Sequence, residues 1–285
     1  MDHPSRSRQA TRMHSNTSRT LLVTLLGAFA RRTGDWLPIK GIVAMLEVLG
    51  VDESSTRTGV SRLKKRGWLL PEKRDGRSGY RLTEHAQTTL ATGDEFIWHS
   101  RQPANLSDGW CIATFSIPEQ HRAKRHLLRS RLASLSFGNA GQGVWIAPAR
   151  MAEEAIAVID QLDLMANTNL FVGRHAGGQE LSHMVSESWD LEDIHAGYQH
   201  FLARHQPGFQ ALRRREPADI ESQEGFIHYM RALDDWRVLP MRDPGLPREL
   251  LRSDWAGDPA TRLIEEIVTH LDQAAFAFVE RSVAP

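Results

Sequence analysis

Ser54–Thr83 reads SSTRTGVSRLKKRGWLLPEKRDGRSGYRLT. Nine of its residues are basic (Arg57, Arg62, Lys64, Lys65, Arg66, Lys73, Arg74, Arg77 and Arg81), and only Glu72 and Asp75 oppose them. Yet the whole chain of 285 residues has a formal net charge of zero. The imbalance is positional. Residues 1–82 carry 16 Lys and Arg against 7 Asp and Glu, a net of +9, and the remainder carries 19 against 28, a net of −9. A basic end on an otherwise acidic chain points to a polyanionic partner. A merely solvated basic face gives the same charge, so the order of elements has to decide between the two.

That order reads outward from the quoted stretch. Asp52 or Ser54 can cap a helix that runs to about Arg66, with Val60 and Leu63 facing its core and Gly67 stopping it. Two short strands follow, Trp68–Pro71 and Gly79–Leu82, around a charged turn at Glu72–Ser78. Upstream, Pro38 suits the first turn of a helix whose stripe is Ile42, Val43, Leu46 and Leu49 and which ends at Gly50. Before that, a helix from Arg19 to about Arg32, capped by Ser18, carries Leu21, Leu22, Leu25, Leu26 and Phe29 on one face. The run LLVTLLGAFA in this helix resembles the apolar core of a secretory signal. It is too short to cross a bilayer, and its stripe suits an amphipathic helix better. Helix, helix, turn, helix and two-stranded ribbon make a winged helix-turn-helix. In that motif the third helix enters the DNA major groove. Ser55, Arg57, Thr58, Ser61, Arg62 and Lys65 then lie on or beside the outward face, where Arg can pair with guanine and Ser or Thr with bases or phosphates. Arg74 and Arg77, at the tip of the ribbon, suit phosphate or minor-groove contact.

The length suggests two or three domains. Residues 1–17 read as a disordered basic arm, 18–98 as the winged-helix domain with a further helix capped by Thr83, and 99–108 as a linker. Strands at Trp110–Ile117, Val144–Ala147 and Leu170–Gly173 alternate with helices at about Glu119–Leu135 and Ala152–Leu164. With one more short strand, these suit a ferredoxin-like α+β domain over 109–180, in which FGNAGQG (Phe137–Gly143) reads as a loop. Residues 181–285 read as a helical domain, with helices at Trp189–Leu202, Gly225–Arg237 and Thr261–Phe278. The expected fold is therefore multidomain α+β.

Seven stretches in order resemble the PaaX family of bacterial transcriptional repressors. SRTLLVTLLGAF (Ser18–Phe29), with RTGVSRLKKRGWL (Arg57–Leu69) and GYRLT (Gly79–Thr83), is similar to its winged-helix domain. FSIPEQHRAKRHLLRSRLASLSFG (Phe115–Gly138) with GVWIAP (Gly143–Pro148) is similar to its middle domain. SWDL (Ser188–Leu191) and DPGLPRELLRSDWAG (Asp243–Gly257) are similar to its carboxy-terminal domain. The resemblance implies a cytoplasmic homodimer that binds double-stranded operator DNA, often palindromic, near aromatic-catabolism genes. It also implies release by an aromatic acyl-coenzyme A such as phenylacetyl-coenzyme A, or by a different aromatic acid. Such a thioester needs an apolar slot and cations for its phosphates. Trp110, Trp145 and Trp189 are candidates for the slot, and Arg125, Arg129 and Arg174 for the phosphates. The competing reading makes the tryptophans core and the arginines a solvated face.

No enzyme reading fits as well. The middle stretch also resembles the small nuclease of CRISPR adaptation systems, but Phe115-Ser116-Ile117 puts a serine where that family carries a metal-binding aspartate. The single cysteine, Cys111, sits in an apolar strand and reads as inert core. It excludes an intrachain disulfide and fits a reducing compartment. His121/His126, His195/His200 and His200/His205 are each five apart, which puts the members of each pair on different helix faces. Asp234 and Asp235 read as a solvated pair. No phosphate-cradling loop or nucleophile elbow occurs, so no catalytic residue, metal, cofactor or membrane partner is expected.

Overall fold

A computed structural model describes residues 20–98, 103–141 and 143–284. The expected arm at 1–17, the Ser18 cap and residues 99–102 of the expected linker lie outside them. The fold is mixed α+β. The chain forms two compact units, each assembled from separated segments. One takes residues up to Asp94 with Phe201–Trp236 and Pro259–Pro285, and the other takes Glu95–His200 with Arg237–Asp258.

The first unit begins with α1 (20–29), whose stripe is buried as its spacing predicts: Leu21, Leu22, Leu25, Leu26 and Phe29 are each 5% exposed or less. A short 3-10 turn, Ala30–Thr33, ends on Gly34 in the left-handed region. Then come β1 (Trp36–Pro38), α2 (Ile39–Glu47), α3 (Glu53–Lys65), β2 (Leu69–Arg74), β3 (Arg77–Leu82) and α4 (Glu84–Trp98). The three strands form one antiparallel sheet in the order β1-β3-β2. Pro38 does not open α2 from within. It pairs in β1 with Gly79 and caps α2 with an extended backbone, φ −67° and ψ 140°.

The ribbon is longer and its turn tighter than the sequence suggests. Arg74 pairs with Arg77 across a loop of two residues, Asp75 and Gly76, both with positive φ (50° and 75°). That geometry matches the right-handed twist of the flanking strands. Pro71 is tolerated because β2 is an edge strand.

From the rest of the chain this unit takes the later part of α8 (Leu191–Leu212), then α9 (Ser222–Trp236) and most of α10 (Gly257–Val283). Pro207 lies inside α8. It costs one helical hydrogen bond, yet the helix continues because Phe209 and Leu212 beyond it are buried. α9 and α10 cross so closely that a Cβ on Gly225 would stand 2.6 Å from the Ala274 methyl. The sequence-expected helices here are all longer in the fold. Asp234 and Asp235 are not a solvated pair. Asp234 accepts from Thr20 (3.1 Å) and Thr24 (2.6 Å), and Asp235 bonds His205 (2.8 Å).

In the second unit, β4 (Trp110–Phe115), α5 (Arg122–Ser134), β5 (Gly138–Gly141), β6 (Val144–Pro148), α6 (Ala152–Gln161) and β7 (Thr168–Gly173) follow in sequence. The strands form an antiparallel sheet in the order β5-β6-β4-β7. The expected FGNAGQG loop contributes a strand. β5 pairs with β6 through a register irregularity between Asn139 and Gly141. Its alternation is invisible in sequence because a small residue is required there. A Cβ on Gly138 would lie 2.6 Å from the Trp189 indole. One face of the sheet packs Cys111, Ala113, Trp145 and Ala147 under α5 and α6. The other packs Trp110 and Ile146 under α7 (Leu181–Ser188), Trp189 and Leu246. α7 was not expected from sequence.

Gly79 is the tightest point of the three-stranded sheet. A Cβ there would lie 2.5 Å from the Leu37 carbonyl oxygen and 2.6 Å from the Trp36 ring. Gly79→Ala is expected to destabilise the first unit by about 1–3 kcal/mol through overpacking. Hydrogen exchange of the β1 and β3 amides measures this; unchanged protection would contradict the packing described.

Candidate nucleic-acid interface

α3 is built to present one face. Asp52 caps it, accepting from the Ser55 amide (2.8 Å) and the Ser55 hydroxyl (2.7 Å). Those bonds hold the Asp52 carboxyl below the usual aspartate value. Thr56, Gly59, Val60 and Leu63 are buried. Gly59 permits a close approach to α1, since a Cβ there would meet Leu22 at 3.2 Å. Arg57, Thr58, Ser61, Arg62, Lys64, Lys65 and Arg66 are exposed. Of the residues read from sequence, Arg57, Thr58, Ser61, Arg62 and Lys65 are therefore brought together on one outward surface. Ser55 is half-buried and its hydroxyl is engaged by the cap. Arg57 is exposed but lies against Glu53 at 2.7 Å, a bond that water screens to little net worth.

The ribbon tip is different. Arg74 bonds Glu72 (2.5 Å) and the Gly34 carbonyl (3.3 Å), and Arg77 donates to the Val283 carbonyl at the end of α10 (2.5 Å). Both guanidinium groups lie over the Trp36 ring, 5.4 and 5.5 Å from its centroid. From sequence, both suit phosphate or minor-groove contact at the ribbon tip. The partner that holds Arg77 is 206 residues away, which no local pattern reveals.

The six residues read as effector contacts fall into two groups. Trp110 and Trp189 stand together, ring centroids 6.3 Å apart, and Arg174 follows Gly173, the register partner of Trp110. Trp145 projects from the opposite face of the sheet, where α5 carries Arg125 and Arg129. All three indoles are buried, at 4–8% exposure, and Trp189 donates to the Ser136 carbonyl (2.9 Å). Arg125 bonds the Ile117 carbonyl (3.2 Å) and Glu119 (2.6 Å).

The DPG segment, by contrast, carries geometry the sequence did not disclose. Tyr198 donates to Asp243 (2.8 Å), and Asp243 accepts from the Gly245 amide (2.8 Å). His195, 3% exposed, accepts from the Ala256 amide (3.2 Å), and the Trp255 indole fills the space that a Cβ on Gly257 would need. Among the described residues, no three His, Cys, Asp or Glu groups stand close enough to hold a metal ion.

Taken together, the chain is a mixed α+β protein of two units in which α3 presents a basic, solvent-facing side. Residues 17–86 match the family described as PaaX-like protein, residues 103–185 the PaaX protein central Cas2-like domain, and residues 189–281 the PaaX-like protein C-terminal domain. The chain belongs to the PaaX family. It is 26% identical over 271 residues to the transcriptional repressor PaaX of Escherichia coli (strain K12), covering 91% of this chain and 82% of that protein. Its fold is similar to that of the uncharacterized protein Rv0674 from Mycobacterium tuberculosis, with a TM-score of 0.56 and 20% identity over 90% of this chain and 96% of that one.

Two outcomes follow. Burial pushes the Cys111 thiol up to about 11, so at pH 8 a disulfide reagent should react promptly only with unfolded chain; fast titration of the native thiol would contradict its burial. Arg77→Ala should lower the melting temperature, because it removes the Val283 bond and the Trp36 contact. An unchanged melting temperature would show that Arg77 is not a structural tie.

Proposed function

We propose that this chain is a DNA-binding transcriptional repressor of an aromatic-compound catabolic operon, and a regulator rather than an enzyme. The observation that carries the reading is the exposed face of α3, five polar and basic side chains on a helix packed by its other side, in a chain related to a repressor. In this reading residues 18–98 are a winged helix-turn-helix, with α2 and α3 as the motif and β2–β3 as the wing. Residues 109–180 are a ferredoxin-like domain, whose βαββαβ order and strand arrangement support it. Residues 181–285 are the helical carboxy-terminal domain, and 99–108 is the linker.

α3 lies in the major groove of double-stranded operator DNA. Arg57 and Arg62 read guanine edges, Thr58 and Ser61 bond bases or phosphates, and Lys65 meets the backbone. Ser55 acts through the cap, fixing the start of the helix. Arg74 and Arg77 hold the wing and add positive potential near phosphate. The chain acts in the cytoplasm as a homodimer whose two α3 helices match half-sites about one helical turn apart. Among the described residues, no helix is long and apolar enough to cross a membrane.

An aromatic acyl-coenzyme A such as phenylacetyl-coenzyme A, or a related aromatic acid, releases the DNA by binding better to a state whose half-site spacing no longer fits. Trp110, Trp189 and Arg174, which lie in one region of the second unit, are better placed to influence that ligand than Trp145, Arg125 and Arg129.

Fluorescence anisotropy with DNA from the gene's own promoter tests the reading. Binding should exceed that to random duplex, and phenylacetyl-coenzyme A should lower it. Arg57→Ala with Arg62→Ala should weaken the promoter complex by about 2–6 kcal/mol, at 1–3 kcal/mol for each base contact. A double variant that binds the promoter normally would remove α3 from the role.

A further inference from the structure

α5 breaks the usual rule for helix charges. Arg122–Ser134 carries Arg122, Lys124, Arg125, Arg129 and Arg131 and no acidic residue. Three of the cations, Arg122, Lys124 and Arg125, sit in its first turn, where the helix dipole disfavours positive charge. No side chain caps it, since His121 at the cap makes no such bond. Departures from a local rule are expected at functional surfaces. This happens in the part of the chain whose net charge is −9.

The charges are also ordered. Leu128 and Leu132 bury one side of the helix. On the exposed side, Arg122, His126 and Arg129 recur at i, i+4 and i+7 and form one row. Arg131 lies on the far flank with Lys124. Between the rows run Ala123, Leu127, Ser130 and Ser134, all exposed and neutral. Lys124 is engaged by the Leu162 carbonyl (2.8 Å) and Asp163 (3.4 Å). Arg122 is 66% exposed; it donates to His126 Nε2 (3.3 Å), and its nearest carboxylate, Glu119, stands at 3.8 Å. The guanidinium groups of Arg129 and Arg131 have no partner among the described residues. Two cationic flanks about a helix diameter apart, with a neutral ridge between, match the two phosphate walls of a DNA major groove, which is about 12 Å wide and admits a helix.

We propose that α5 is a second DNA-binding helix, contacting phosphates of both strands of a duplex through Arg122, Arg129 and Arg131 without reading bases. It rests on the DNA-binding reading above but makes a separate, sequence-independent contribution. Phosphate contacts of this kind add affinity and register, and each steepens the salt dependence by about 0.9.

The test is the salt dependence of full-length chain on a random-sequence duplex, compared with the promoter duplex. Arg122→Ala, Arg129→Ala and Arg131→Ala together should make the log–log slope shallower by about 2 to 3 on both duplexes and leave the preference for promoter DNA intact. The same three positions changed to Lys should restore the slope. Alanine is a better helix former than arginine, so the variant is expected to fold. Arg213→Ala, Arg214→Ala and Arg262→Ala remove equal charge from exposed sites, two just beyond the end of α8 and one on α10; that control should leave the slope unchanged.

A slope unaltered in the α5 variant overturns the proposal, as does an equal loss in the control. Thermal protection by coenzyme A that vanishes in the α5 variant while its DNA slope stays the same would make the patch a small-anion site instead, and also overturn it. No promoter preference in the wild-type chain, with the α5 effect still present on random duplex, would sink the repressor reading and keep this one.

Discussion

The burial of α1 is the constraint on which the position of α3 depends. Phe29 packs against Phe226 (6.0 Å), Tyr229 (5.3 Å) and Phe276 (6.4 Å), ring centroid to ring centroid. Thr20 and Thr24 bond Asp234, and Arg32 makes a two-point bond to Asp272 while lying over the Phe276 ring at 4.0 Å. Tyr229, buried among these groups, has its hydroxyl pushed up to about 12, chiefly by desolvation. Leu22 of the same helix sets the approach of α3 through Gly59. The exposed basic face is thus fixed by side chains of α9 and α10, far from it in sequence. α9 and α10 are part of the platform that carries α3.

The carboxy-terminal end of α10 adds a further tie. Its Val283 carbonyl holds Arg77, and the Ser282 carbonyl oxygen lies only 2.6 Å from where a Cβ on Gly41 would stand. α2 and the ribbon are both in contact with the last turn of the chain.

Much of the first unit was legible because its signals are local. The stripe of α1, a cap at Asp52 or Ser54, the inward Val60 and Leu63 and the ribbon all follow from spacing and turn chemistry. The tighter turn was written in Asp75-Gly76, but the charged residues around it masked the strand pattern. β5 was hidden because a glycine is needed where Trp189 packs, and glycine reads as loop. The anchoring of Asp234 and Arg77 was not readable, since each partner lies about 200 residues away. Trp145 is a different case: the thioester that the resemblance implies set three tryptophans as candidates for one slot, while strand alternation puts Trp145 on the face opposite Trp110 and Trp189.

The outward face of α3 as the DNA-reading surface is the central claim, and amide hydrogen exchange with and without promoter duplex tests it most directly. The account predicts slowed exchange concentrated from Asp52 to Arg66, with a smaller change in β2 and β3. Promoter binding that leaves the α3 amides unaltered, while protecting other elements, would contradict it.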